Sequence, residues 1–175
     1  MTGVTSLSLS AITKKVQIKE TILMLSFAVL FPFLVHLLPS VGNVPMGAIL
    51  LPAFIAPFIA NYFFKMHVGL FTAIVGPTLN FILTGSPKLE YLALYTTELV
   101  VFTLLSLLFL KQGKLKMFSA PVAFILAKVF STGLALFPFL AGYVGVNSFL
   151  SMIYALPGIL LLFVLNVSLL KMNKN

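Results

Sequence analysis

The chain has 175 residues, of which 61% are hydrophobic and only 8% are charged. Soluble domains have about 25% charged residues, so this composition excludes a water-exposed globule and indicates one compact domain integral to a membrane. The formal net charge is +8, but the lysines lie at the ends of apolar stretches, which is typical of an orientation signal and not of a nucleic-acid-binding face. The sequence contains neither Arg nor Cys, which excludes guanidinium recognition of phosphate, disulfides and a thiol nucleophile.

Six apolar stretches follow one another along the chain, each near the roughly 20 residues that a membrane-spanning helix needs. Only Lys65, Met66 and His67 separate the second stretch from the third, so these two could instead form one broken or re-entrant element. The sequence therefore predicts an all-α membrane protein, a compact bundle of about six transmembrane helices. The predicted spans, in chain order, are Thr21–Leu38, Met46–Phe64, Val68–Thr84, Tyr91–Leu110, Phe118–Ala141 and Phe149–Leu170.

The positions of the lysines predict the orientation of this bundle. If the N-terminus is cytoplasmic, nine lysines fall on inner segments and only Lys88 falls on an outer loop, while Lys128 lies within a span. The positive-inside rule therefore favours two cytoplasmic termini. The predicted organisation is a single transmembrane domain over 1–175, with a cytoplasmic segment at 1–19, the six-helix bundle at 20–170 and a cytoplasmic tail at 171–175.

Two charged residues, Glu98 and Lys128, lie inside the predicted spans. A charged side chain at the centre of a membrane helix costs at least about 2.5–3.5 kcal/mol, so it usually faces a protein interior or a water-filled cavity and marks a functional site. Side chains lean toward the N-terminus of their own helix. Glu98 would therefore lean outward and Lys128 inward, which separates the two in depth. A pair bridged by water or by a ligand and a direct structural salt bridge both remain open.

Other polar and aromatic residues in the outer halves of the spans extend this candidate site. Tyr91 and Tyr95 precede Glu98 at helical spacing and share its face, as suits an organic ligand. A buried Asn finds its hydrogen-bond partner in a helix backbone or in a ligand. For each residue of this set, a purely structural role is the alternative to ligand binding. The predicted substrate-binding residues are Glu98, Lys128, Tyr95, Tyr91, Asn80, Asn147, Tyr154 and His36.

The sequence predicts neither an enzyme nor a bound cofactor or metal. His36 and His67 fall in opposite leaflets, so they cannot share a metal ion, and no zinc-binding spacing or carboxylate cluster is present. All three acidic residues are Glu, so no Ser/His/Asp constellation can be assigned. A glycine-rich phosphate-binding loop is also absent from the sequence.

Several stretches carry a resemblance to a known family, and they span most of the chain. They are Leu30–His36, Leu50–Pro57, Gly69–Pro77, Leu83–Pro87, Glu98-Leu99 and Ala127-Lys128. In these stretches the chain resembles the substrate-binding S component of energy-coupling factor (ECF) vitamin transporters. It departs from the family's pattern in the second helix, where Ala53 or Phe54 replaces a His. The family's small-residue docking motif of the first helix is imperfect in this chain, where Ser26, Ala28 and Gly42 are the nearest small residues.

The resemblance implies a mechanism. A vitamin-like substrate is captured in an outer-half pocket beneath a lid formed by residues 39–45, in the cell membrane of a prokaryote. The S component then associates with an ECF coupling membrane protein and two ATPases, topples in the membrane and releases the substrate inside. ATP hydrolysis resides in those partners. The residues of the candidate site suit a polar or zwitterionic molecule with a ring, and the lack of Arg argues against a phosphorylated one.

Two other functions remain open at this stage. One is a non-transporting membrane scaffold similar to the MreD-like cell-shape subunits, which does not need charged residues deep in adjacent spans. The other is a solitary facilitator for a micronutrient, although secondary transporters are usually built from internal repeats and the sequence shows none.

Overall fold

A computed structural model describes residues 18–42, 44–113, 115–134 and 152–172 of the chain, and its regular elements are helices. Five of the described helical segments are long and apolar enough to cross a membrane, and the last helix is slightly shorter. The protein is therefore an all-α, multi-pass membrane bundle, as its composition predicts. Its helices are α1 (Ile18–His36), α2 (Met46–Leu50), α3 (Pro52–Phe63), α4 (Met66–Thr84), α5 (Leu89–Lys111), α6 (Ser119–Leu134) and α7 (Leu156–Met172), with a 3-10 turn at Lys116–Phe118 before α6.

The predicted spans coincide with these helices to within about three residues at the ends that the structure describes. The ends predicted at Ala141 and Phe149 lie outside the described residues. Phe64 and Lys65 separate α3 from α4, and these two helices pack against each other. The second and third spans are therefore two helices, and the prediction of one broken or re-entrant element is wrong for this part of the chain.

The second span is interrupted at Leu51, between α2 and α3. Leu51 has φ 53° and ψ 43°, a left-handed conformation that non-glycine residues adopt only rarely. Pro52 follows as the first residue of α3, and a proline has no N–H to continue the hydrogen bonds of the helix before it. The chain consequently changes direction here, and the short helix α2 packs against α1 and α7 instead of extending α3.

Asn166 joins α7 to the start of α6 at the end of the bundle that is predicted to face the cytoplasm. Its Nδ2 donates to the carbonyl oxygens of Met117, at 2.7 Å, and Lys116, at 3.1 Å. Pro121 lacks the N–H that would bond the Met117 carbonyl in a regular helix, so the Asn166 amide supplies a donor that the backbone cannot. Ser119 donates in turn to Oδ1 of Asn166. This fully buried amide has a structural role that its position in the sequence does not reveal.

Aromatic side chains from three helices form the centre of the core. Phe54 on α3 meets Phe102 on α5 and Phe124 on α6 edge to face, with ring centroids 5.1 and 5.0 Å apart, and all three are buried. Edge-to-face contacts of this kind stabilise a core beyond the area that they bury. On the outside, α1 presents large apolar side chains such as Leu30 and Leu34, which are more than half exposed and suit contact with lipid.

Candidate functional site

A cavity of about 420 Å³ lies at one end of the bundle, where α1, α3, α4, α5 and α6 converge and α2 packs alongside. Its walls are mainly apolar and include several prolines and two of the core phenylalanines. Five of the eight residues predicted to bind a substrate line this cavity, although they come from four different helices. They are His36 on α1, Asn80 on α4, Tyr95 and Glu98 on α5, and Lys128 on α6.

The cavity lies at the end of the bundle opposite to most of the described lysines. Helix α1 begins beside Lys19 and reaches the cavity in its last two turns, and α4 begins after Lys65 and reaches it at its own far end. Helix α5 runs the other way, from the cavity end to Lys111. With the orientation that the lysines predict, the cavity opens in the outer half of the membrane.

Glu98 and Lys128 form a direct ion pair that borders this cavity. Nζ of Lys128 lies 3.3 Å from Oε2 of Glu98, and the Ser131 hydroxyl donates to the same oxygen at 3.1 Å. The predicted separation in depth is therefore wrong for the charged groups. The direction of the Cα–Cβ bond fixes only the start of a side chain. The flexible four-carbon stem of Lys128 then brings its ammonium group back to the Glu98 carboxylate.

The pair is buried unequally. The side chain of Glu98 is 7% exposed and that of Lys128 is 24% exposed, and both border the cavity. The Lys128 ammonium group has three N–H donors. Among the described residues, Glu98 accepts one of them. The Glu98 carboxylate accepts two hydrogen bonds from described residues, and Oε2 accepts both of them. The pair can thus offer the cavity a donor from Lys128 next to an acceptor from Glu98.

His36 stands where α1 meets α2. Its Nδ1 lies 2.6 Å from the carbonyl oxygen of Pro32, and because a carbonyl only accepts, Nδ1 carries the proton of this hydrogen bond. In the neutral ring Nε2 is then an acceptor. Gly47 on α2 packs directly on the imidazole, since a Cβ at that position would lie 2.6 Å from Cε1 of His36. The ring is held on two sides while it lines the cavity.

Asn80 combines a structural role with its place in the cavity wall. Its Nδ2 donates to the carbonyl oxygen of Ala28 on α1, at 2.9 Å, and to that of Gly76 on its own helix, at 3.2 Å. Of the two partners that the sequence left open, the helix backbone is the one observed. Gly76 permits this close approach, because a Cβ there would already lie 3.3 Å from the Ala28 side chain.

The remaining predicted site residues are placed differently. Tyr95 lines the cavity and meets Phe54 edge to face at 6.2 Å. Tyr91 and Tyr154 are 44% and 51% exposed and do not border the cavity, so a binding role for either stays a prediction. Asn147 lies outside the described residues.

Three residues that shape the site are not among those predicted from the sequence to bind a substrate. Phe54 and Phe124 form part of the cavity wall, and Ser131 binds the Glu98 carboxylate. The phenylalanines are indistinguishable in sequence from the other apolar residues of their spans. Ser131 does carry a signal, because it follows Lys128 by three residues and therefore shares its helix face. Among the described residues, no group of three or more His, Cys, Asp or Glu is placed to hold a metal ion.

The fold and the site together define an all-α, multi-pass membrane protein with a mainly apolar cavity at one end of the bundle, bordered by the Glu98–Lys128 ion pair. No family model, curated protein or solved structure matches the chain.

Proposed function

We propose that this chain is the substrate-binding subunit of an ECF-type importer, which captures a small vitamin-like molecule in the cavity and passes it inward with the help of partner proteins. The observation that carries the proposal is the cavity itself, in which three further predicted residues, His36, Asn80 and Tyr95, accompany the Glu98–Lys128 pair. A resemblance in short stretches of sequence names the transporter class, and the cavity supplies the binding site that such a subunit requires.

The physical character of the cavity suits a small organic ligand. Ligand sites are typically concave, about 300–1,000 Å³ in volume, and mainly apolar with a few placed polar groups. This cavity has a volume of about 420 Å³, apolar walls, and polar groups from His36, Tyr95, Glu98 and Lys128. A membrane scaffold would have no use for two charged side chains beside an internal cavity, and their desolvation is costly. This favours the binding subunit over an MreD-like scaffold.

Energy for inward delivery must come from other chains in this proposal. The sequence has no phosphate-binding loop, so the expected partners are an ECF coupling membrane protein and two ATPases in the plasma membrane of a prokaryote. A solitary facilitator would need to alternate its access alone, usually by means of two internal repeats, and the sequence contains no such repeat. The chain therefore fits a binding subunit better than a complete carrier.

Purification from the native membrane in a mild detergent tests this function. Mass spectrometry of the tagged chain should find a coupling membrane protein, two ATPases and a released metabolite. Lys128→Gln should lose the metabolite and keep the protein partners, while Lys88→Gln, an exposed lysine outside the cavity, should keep both. Cell-shape or cell-wall proteins without a metabolite would overturn the proposal in favour of a scaffold, and a metabolite without ATPases would indicate a solitary carrier.

A further inference from the structure

Among the residues that the structure describes, the charges that line the cavity cancel. Glu98 and Lys128 are the only Asp, Glu, Lys or Arg side chains among the described lining residues, and they are paired at 3.3 Å. Residues 135–151 lie outside the description, and that stretch of sequence contains no Asp, Glu, Lys, Arg or His. A ligand with a net charge would therefore lose its hydration without finding an uncompensated partner, which is expensive in an apolar site.

The hydrogen-bonding groups of the pair lie side by side. Lys128 has ammonium donors beyond the one given to Glu98, and Oε1 of Glu98 accepts nothing from the other described residues. A donor and an acceptor so placed match a ligand edge that carries a C=O acceptor next to an N–H donor. An amide, lactam or ureide group has such an edge and no net charge.

The walls next to the pair suit a flat ring. Tyr95 and Pro87, which are both only partly buried, border the cavity, and the Tyr95 ring is held edge to face against the buried Phe54 at 6.2 Å. Rigid aromatic and proline surfaces favour planar apolar groups, which stack on them with little loss of side-chain freedom. An aliphatic chain would fill the same space with poorer complementarity.

From these three observations we infer that the cavity selects an electrically neutral, ring-bearing ligand with an amide-type edge, whose carbonyl accepts from Lys128 and whose N–H donates to Glu98. This inference rests on the proposed function, because it names the substrate class of the same cavity. The sequence leaves open any polar or zwitterionic molecule with a ring, and this inference narrows those ligands to electrically neutral ones. It predicts that neutral ligands bind more tightly than charged ligands of the same shape.

Three small probes of nearly equal shape separate these possibilities. Benzamide is neutral, benzoate carries one negative charge and benzamidinium carries one positive charge, while each consists of a phenyl ring with a planar head group. The full-length chain is placed in lipid nanodiscs at neutral pH, and the dissociation constants are measured by ligand-observed NMR, with empty nanodiscs as the background. We expect benzamide to bind at least about ten-fold more tightly than either ion, a difference of about 1.4 kcal/mol. N,N-dimethylbenzamide, which lacks the N–H, should also bind more weakly than benzamide.

Variants of the pair should change this preference in opposite directions. Glu98→Gln leaves the Lys128 charge uncompensated and should make benzoate the preferred probe, and Lys128→Gln should raise the affinity for benzamidinium relative to benzoate. Glu90→Gln is the matched control, since Glu90 is an exposed residue in the first turn of the same helix and does not border the cavity. This variant should bind the three probes in the same order of affinity as the wild-type protein.

Several results would overturn the inference. The first is that the wild-type chain binds benzoate or benzamidinium as tightly as benzamide, or more tightly. The second is that a folded Glu98→Gln variant still prefers benzamide. The third is that benzamide does not bind at millimolar concentration. These measurements use the chain alone, so they fail or succeed separately from the importer proposal. Co-purification of ATPases with a chain that binds charged probes would keep the importer and reject the neutral ligand.

Discussion

Asn80 supplies to α1 the hydrogen-bond donor that Pro32 lacks. The carbonyl oxygen of Ala28 would accept from the N–H of residue 32 in an uninterrupted helix, and it accepts instead from Nδ2 of Asn80 at 2.9 Å. The proline can consequently lie inside a membrane helix without leaving a buried carbonyl unpaired. The same contact fixes α4 to α1 at the level where both helices line the cavity.

This relationship predicts a specific energetic coupling between the two residues. Asn80→Ala should lower the free energy of unfolding by about 1–3 kcal/mol, because it leaves the Ala28 carbonyl unpaired. In a Pro32→Ala background the restored backbone N–H satisfies that carbonyl, so the same substitution should cost clearly less. The double-mutant cycle can be measured by unfolding with sodium dodecyl sulfate in mixed micelles.

Thr78→Ala serves as the control on the same helix, since the exposed Thr78 hydroxyl bonds only to its own helix. It should change stability little in either background. An equal cost of Asn80→Ala with and without Pro32 would show that the amide does not compensate for the proline.

The ion pair predicts a second cycle. Glu98→Gln and Lys128→Gln should each destabilise the protein by about 1–3 kcal/mol, because each leaves a partly buried charge without its partner. The double variant has no such charge, so its loss of stability should be smaller than the sum of the two single losses. Chemical unfolding of the four proteins in one detergent measures this difference. Strictly additive losses would be incompatible with the direct pair.

The helices could be predicted from the sequence because their signal is local. Apolar stretches near 20 residues in length, with lysines or turn residues at their ends, mark α1, α4 and α5 to within about three residues. The break at Leu51 was not predicted, although Pro52 is visible in the sequence. A proline within an apolar stretch can start a helix or kink one, and the choice depends on how α2 packs against its neighbours.

The composition of the candidate site was predictable only in part. A charged residue within an apolar stretch is visible in the sequence whichever way its side chain faces. Glu98 and Lys128 could therefore be identified from the sequence alone. Their direct contact could not, because it depends on the rotation and depth of α5 relative to α6 and on the path of the lysine stem. Asn166 shows the same limit, since its role follows from the position of Pro121 on another helix.

The close approach of α7 to α2 gives a third prediction. A Cβ on Gly158 would lie 2.6 Å from the carbonyl oxygen of Ile49 and 2.9 Å from the carbonyl carbon of Leu50. Backbone atoms cannot move aside as a flexible side chain can, so Gly158→Ala should destabilise the protein by about 1–3 kcal/mol.

Gly133→Ala is the matched control, because no atom of the described residues lies within 4 Å of the Cβ that it would add. Alanine in a helix is favoured over glycine by roughly 0.5–1 kcal/mol, so this variant should be neutral or slightly more stable. Thermal unfolding of both variants in detergent distinguishes them, and a tolerated Gly158→Ala would contradict the packing of α7 on α2.

Filling the cavity with a side chain tests most directly whether it binds a small molecule. Ala53 lines the cavity on α3, whereas Ala93 is an exposed alanine on α5 outside it. The wild-type chain, Ala53→Phe and Ala93→Phe are each purified from the native membrane, and the small molecules released on denaturation are quantified by mass spectrometry. We expect the same metabolite from the wild-type chain and from Ala93→Phe, and little or none from a folded Ala53→Phe. Equal amounts from all three proteins, or none from the wild-type chain, would contradict a ligand-binding cavity.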